Sequence, residues 1–539
     1  MKHTNSLDWR HTNAPSRRLL GLMGIGLCLL TGVTSAAGQK ILSNNLEFTD
    51  CSIGSGAVSI VAQCATLSVP LNSHPSSEFQ KNSESTGSTS ESGAESGSES
   101  TIALDKQADG SEQIELSIAL IPARRQSDRQ DAFTMISGGP GQSAIETFPS
   151  VSFAFRHIMR NHDVILIDQR GTGGSEKLVC ENTSDSLGLD KNLDLGKISQ
   201  DALECREALA YDPSWFTSSM AIHDLEFVRK QLGVSQWNMY GISYGTRVAL
   251  HYLRRYPDSI RTLTLDAVVP PEVSLGPDIN RLSQRALDLI FKRCVEDKGC
   301  FNAFGDLTEP TLSLLDSLEE NPKSITFEDI ATGSLSTMEL TREHLAITIR
   351  LMSYSAQTAA ILPSMLHDAI VNENFAPLAR QAKLQTQSLG DSLASGMHQA
   401  IMCTEDAPFV NPEENADEPA TYLGEGAIDA LLASCKHWPP GIIDADFKEA
   451  VTSDAPILIL SGEADPITPP SYGESITSTL PNARHIVNPD QGHMQAPFGC
   501  MPVLLAKFIS TADAKNLNLQ CLERLRVTPF FVDANGPLP

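Results

Sequence analysis

An α/β protein is predicted, with a mostly parallel central sheet and a helical block inserted late in the chain. Three observations carry the prediction. From 114 to 271, short apolar strands at 164–168, 237–240 and 262–266 alternate with helical segments, the pattern of a parallel sheet with helices on both faces. From 272 to 452 the chain reads as successive amphipathic helices, 282–294 and 342–352 among them, and strand–loop–helix order resumes at 456. Between the strand at 237–240 and a helix-like run reaching Tyr256 stands Gly241-Ile242-Ser243-Tyr244-Gly245.

In that strand–turn–helix context the five residues read as a nucleophile elbow. Small residues two positions either side of Ser243 suit a turn too tight for side chains. The turn holds a hydroxyl at the carboxyl edge of the sheet, at a helix amino terminus whose dipole favours developing negative charge. An acid and a histidine then belong on loops after later strands. The apolar run 455–460 leads into Ser461-Gly462-Glu463-Ala464-Asp465, and the run 483–487 leads to Asp490, Gln491, Gly492 and His493. Ser243, Asp465 and His493 are the candidate nucleophile, orienting acid and base. An imidazole must take the serine proton, and a buried carboxylate fixes the imidazole tautomer. Glu463 and Asp490 are the alternative acids, and the bland reading makes Asp465 and His493 ordinary surface residues. Upstream, the strand 133–136 runs into Ser137-Gly138-Gly139-Pro140-Gly141. The oxyanion of acyl transfer needs two backbone N–H donors, which Tyr244 and either Gly139 or Gly138 would supply. A plain glycine–proline turn is the alternative there.

The segments SGGPGQS (137–143), DQRGTGGS (168–175), GISYGTR (241–247) and GEADPITPP (462–470) together resemble the proline iminopeptidase and tripeptidyl aminopeptidase family of α/β-hydrolases, its secreted, cysteine-bearing branch in particular. The resemblance runs from about Cys51 to Cys521 apart from a low-complexity insert. It implies the α/β-hydrolase fold with an inserted helical cap, and a serine exopeptidase acting on peptides with free amino termini. The typical iminopeptidase loop reads HGGPG; Ser137 stands where its histidine would be, which leans toward the tripeptidyl type. Asp168 to Gly171 match the family's Asp-Gln-Arg-Gly segment and are read as a brace near the site. The run 401–406 resembles the family's cysteine–acid segment in the cap, which nominates Glu405, and after it Asp406, to hold the substrate ammonium. A solvated helix end beside a disulfide is the alternative for that pair.

A secretory signal peptide is expected over 1–37. Basic residues precede an apolar stretch at 19–30 and small residues at 31–38, with cleavage near Ala36 or Ala37. The apolar stretch is too short to span a bilayer comfortably, so no membrane association is expected after cleavage, and the location is periplasmic or external. Eleven cysteines less Cys28 leave ten, which fall into sequential neighbours: Cys51 with Cys64, Cys180 with Cys205, Cys294 with Cys300, Cys403 with Cys435, Cys500 with Cys521. Sequence does not fix connectivity, but local pairing needs the least rearrangement, and an oxidising compartment permits it. The segment 73–112 is polar and repetitive and is expected to be a disordered tip between strands at 64–71 and 114–121, which would pair as an antiparallel hairpin. The organisation expected is therefore core 45–271, cap 272–452 and core 453–530.

A formal net charge of −26 argues against nucleic-acid binding, which wants a basic face. No metal or organic cofactor is implied, since side chains alone activate such a nucleophile. A carboxylesterase or lipase would use the same three residues on esters, and the fold cannot separate it from a peptidase. The glycine loop and acidic cap favour the peptidase. A non-catalytic relative is disfavoured because every candidate position is filled.

Overall fold

The structure is a computed structural model that describes residues 46–72, 112–125, 129–180, 194–329, 332–411, 421–424, 426–533 and 535–537. The expected signal peptide and all of the low-complexity insert except Glu112 lie outside the described residues.

Nine strands form one sheet: β1 (Thr49–Ile53), β2 (Ile60–Pro70), β3 (Gln113–Ile121), β4 (Ala132–Ile136), β5 (Val164–Ile167), β6 (Trp237–Ile242), β7 (Ile260–Asp266), β10 (Ile457–Gly462) and β11 (Ala483–Asn488). Their order is β1-β2-β3-β5-β4-β6-β7-β10-β11. The first four pair antiparallel and the remainder parallel. β2 and β3 form the expected hairpin, with Leu71 N–H donating to the Glu112 carbonyl at its loop end. The chain runs from β4 outward to β5, then returns past β4 to β6. That reversal opens a crevice at the carboxyl ends of β4 and β6, the place where open parallel sheets bind ligands.

Along the central strands successive side chains face opposite layers. Ile457 and Ile459 join a core with Ile222, Leu225, Val248 and Leu253, whereas Leu458 and Leu460 join one with Phe148, Phe155, Leu505 and Phe508. Helices α1 (Ala144–Val151), α2 (Ser218–Gln231) and α3 (Tyr244–Arg255) supply several of these residues. The strands are near-continuous apolar runs because both faces are covered.

Between β7 and β10 lies the cap, including α4 (Ile279–Glu296), α5 (Arg342–Met352), α6 (Ala376–Ser392) and α7 (Ser395–Ile401), around its own core of Leu287, Phe291, Leu345, Ile349, Leu366 and Leu378. The cap is not all helix, as the sequence reading had it. A two-stranded antiparallel ribbon, β8 (Lys323–Glu328) and β9 (Leu335–Leu340), interrupts it. Its period-two alternation, Ile325 and Phe327 on one strand and Met338 and Leu340 on the other, is a strand signal inside a run of helices. The end of the chain also departs from the expected boundary. Phe530 is buried in the cap core beneath the Arg293 guanidinium, 4.2 Å from its ring centroid, and Phe531 N–H donates to the Ala360 carbonyl. The five disulfides join the sequential neighbours anticipated. No described helix is long and apolar enough to cross a membrane.

Candidate active site

Ser243 stands at φ 54°, ψ −128°, between the last residue of β6 and the first of α3. A positive φ is strained for any residue with a Cβ, so surrounding structure must impose it. The neighbours do. A Cβ on Gly241 would lie 2.6 Å from the Gly245 carbonyl oxygen, and one on Gly245 would collide with the carbonyls of Ile136 and Ser137. The two glycines let the turn close between β4 and β6, which are in register at Ile136 and Gly241. Ser243 N–H donates to the Asp266 carbonyl at 3.0 Å, and the Ser243 carbonyl accepts from Thr246 N–H at 2.8 Å. The side chain stays partly exposed at the sheet edge.

The glycine loop after β4 passes directly over this turn. A Cβ on Gly138 would come within 3.1 Å of the Ser243 Cβ, and Gly139 has φ 104°. Among the described residues the backbone N–H groups of Gly139 and Tyr244 make no hydrogen bond. The loop is held by the next helix. Ser143 caps α1 by accepting from Glu146 N–H, and its hydroxyl donates to Asp168 at 2.6 Å. Asp168 also accepts from Ile145 and Gly174 N–H, so it acts as the brace expected of the 168–171 segment. Arg170 completes that brace with a bidentate pair to Asp224, both bonds 2.7 Å.

Asp465 and His493 meet. His493 Nδ1 lies 2.8 Å from Asp465 Oδ2. The carboxylate is fully buried and accepts three further bonds, from Ile467 N–H, Thr468 N–H and Thr468 Oγ1. Four donors on one carboxylate fix its plane. The loops bearing the two residues touch closely: Glu463 N–H donates to the Asn488 carbonyl and Ala464 N–H to the Gln491 carbonyl. Of the alternative acids, Glu463 accepts from Asp490 N–H, and neither is bonded to the imidazole. Among the described residues no hydrogen bond joins Ser243 Oγ to His493; such bonds are often open before substrate binds.

Asp266, at the end of β7, ties the nucleophile turn to the histidine loop, a role the sequence did not announce. Its carboxylate accepts from Tyr240 Oη at 2.7 Å and from Gln495 and Ala496 N–H at 2.7 and 2.8 Å. Burial, partly offset by these donors, raises its pKa to about 6.

Two protein-family models match the chain, one described as the alpha/beta hydrolase fold over residues 131–291 and one as a TAP-like protein over 420–521. The chain has the α/β-hydrolase fold. The first match spans the elbow, the glycine loop and the Asp168 brace; the second spans Asp465 and His493. Serine protease Hip1 of Mycobacterium tuberculosis is 21% identical over 405 residues, 67% of this chain and 75% of that protein. A tripeptidyl aminopeptidase of Streptomyces coelicolor is 27% identical over 187 residues, 32% of this chain and 34% of that protein. A proline iminopeptidase of Aeromonas sobria is 28% identical over 193 residues, 35% and 41% of the two chains.

The hydrolase corrects one expectation about its cap. Glu405 and Asp406 are both fully buried and both engaged inside the protein. Asp406 makes a bidentate pair with Arg247, at 3.0 and 2.9 Å, and accepts from Leu275 N–H. Glu405 accepts from Ser218 N–H at 2.7 Å and Ser218 Oγ at 2.8 Å. Neither carboxylate offers an accessible oxygen to a substrate ammonium. Instead they brace α3 from behind, since Ser218 Oγ is 2.7 Å from Tyr244 Oη, which also accepts from Gln169 Nε2. The sequence drew attention to the acids, but their partners lie about 130 to 190 positions away in the chain.

Burial outweighs the attraction of Arg247 and the Ser218 donors, and pushes the Glu405 pKa up to about 7 from 4.5. A folded-state value above the unfolded one contributes stability fully below the unfolded value and loses it as pH rises through the folded value. Glu405→Gln, which cannot ionise, is therefore expected to melt a few degrees higher than the parent at pH 8, with the gap closing by pH 5. Its KM for unblocked peptides is expected to stay within about 3-fold of the parent. A KM raised only for unblocked peptides would restore the ammonium-anchor role.

Proposed function

We propose that this hydrolase is a secreted serine peptidase that releases residues from free peptide amino termini through an acyl-enzyme. The observation that carries the reading is the buried Asp465–His493 pair, its histidine on a loop that Asp266 ties to the strained Ser243 turn. In this reading Ser243 Oγ attacks the scissile carbonyl while His493 takes its proton, and Asp465 holds the imidazole tautomer and stabilises the imidazolium. The N–H groups of Gly139 and Tyr244, which have no acceptor among the described residues, receive the oxyanion. His493 then protonates the departing amine, and water repeats the sequence on the ester.

The TAP-like match and the peptidase names of the relatives favour amide over ester substrates. The cap supports attack near a chain end. It meets the core on the glycine-loop side, where Ala394 N–H donates to the Gly141 carbonyl, and on the histidine side, at Tyr354. A site roofed on two sides admits a terminus more readily than the middle of a folded chain. The five disulfides suit an oxidising compartment.

Tripeptidyl, alanyl and prolyl p-nitroanilides, each free and N-acetylated, assayed beside p-nitrophenyl esters, test the substrate class. At least one free amide is expected to exceed its acetylated form by about 100-fold or more in kcat/KM. Turnover of esters with none of the amides would instead make the protein a carboxylesterase.

A further inference from the structure

One cap residue touches the imidazole of His493, and nothing in the catalytic scheme above uses it. Tyr354 sits just beyond α5. Its ring meets the His493 ring edge-on, with centroids 5.1 Å apart and planes at 62°. Its carbonyl accepts the His493 backbone N–H at 2.7 Å. The approach is a built one: a Cβ on Gly492 would lie 2.5 Å from the Tyr354 carbonyl oxygen and 2.7 Å from that of Ser353, so only glycine lets the histidine loop come this close. The tyrosine is itself held. Arg350 Nη2 donates to its hydroxyl at 3.1 Å, from one turn earlier on α5.

An imidazole bonded through Nδ1 to a carboxylate keeps one freedom, rocking about that bond, which swings Nε2 toward or away from the nucleophile. Asp465 and Thr468 act at the Nδ1 end of the ring and cannot stop this motion. A second surface against the ring can. We infer that Tyr354 is a positioning residue for His493: its ring forms the cap-side wall that sets the imidazole's tilt, while its carbonyl anchors the histidine backbone, so that docking of the cap and alignment of the base are one event. The inference rests on His493 being the base. Edge-to-face aromatic contacts hold ring orientation beyond their buried area, and small misplacements of a catalytic group are costly in rate.

The test compares Tyr354→Ala, Tyr354→Leu and Tyr354→Phe with the parent and with His493→Ala, on a p-nitrophenyl ester and on the best free-amine p-nitroanilide. Tyr354→Ala and Tyr354→Leu are expected to lose about 10- to 100-fold in kcat on both substrates, with KM within about 3-fold. Acylation by a fluorophosphonate is expected to slow in parallel. Tyr354→Phe, which keeps the ring, should recover most of the rate; the main-chain carbonyl is common to all three variants. The leucine variant restores apolar bulk without an aromatic ring, so a fall in the alanine variant alone, accompanied by a lower melting temperature, would mark a packing role and overturn the inference. So would kcat within 3-fold of the parent in both, or a phenylalanine variant as slow as alanine. An active His493→Ala variant would remove the base itself, whereas an inactive one beside an active Tyr354→Leu variant removes only the clamp.

Discussion

Alanine in place of Ser243 is expected to lower kcat on a peptide amide by about a million-fold, with the fold and substrate binding intact. Removing the hydroxyl removes the acyl-enzyme route altogether, and only oxyanion stabilisation and proximity remain to help water attack. The stability side of this prediction is specific. Serine and alanine both carry a Cβ, so both bear the cost of φ 54°, and the turn is held from outside by Gly241, Gly245 and the Asp266 carbonyl. The melting temperature should therefore move little. Residual activity is best measured after titrating any contaminating parent enzyme with a fluorophosphonate. A loss below about 100-fold, with the melting temperature unchanged, would mean that another group is the nucleophile.

Asp465→Asn is the second large effect, a fall of about 10,000-fold in kcat with little change in KM. The native carboxylate accepts from four donors: His493 Nδ1, two backbone N–H groups and the Thr468 hydroxyl. An amide must turn its NH2 toward one of them. The backbone N–H groups of Ile467 and Thr468 both donate to Oδ1 and claim the amide oxygen. The NH2 then faces His493 Nδ1, which must give up its proton to accept. That tautomer carries its proton on Nε2, where it cannot take one from serine. Rates within 10-fold of the parent would move the acid elsewhere, and Glu463 would be the residue to test next.

The parts legible in the sequence were those with local causes. The elbow could be read because its glycines, its strand and its helix are consecutive, and the same holds for the strand–loop units ending at Asp465 and His493. The β2–β3 hairpin and the five disulfides were legible because pairing partners are near in sequence. What the sequence hid depends on distant partners. Glu405 and Asp406 looked like free acids in a cap until Ser218 and Arg247 came to meet them. Asp266 read as the last residue of a strand, yet it joins the elbow strand through Tyr240 to the histidine loop at Gln495. Tyr354 is one aromatic residue after an amphipathic helix, and only the crossing at Gly492 brings it to the imidazole. The β8–β9 ribbon was hidden for another reason: six-residue strands inside a long helical stretch are easily absorbed by a window set to helical periodicity.

The most direct measurement is peptide mapping by mass spectrometry after brief exposure of the full chain to a biotinylated fluorophosphonate, alongside His493→Ala. The account predicts a single adduct, on Ser243, formed in step with loss of peptidase activity and nearly absent from the His493→Ala protein. An adduct on a different residue, or full activity remaining once Ser243 is modified, would contradict it.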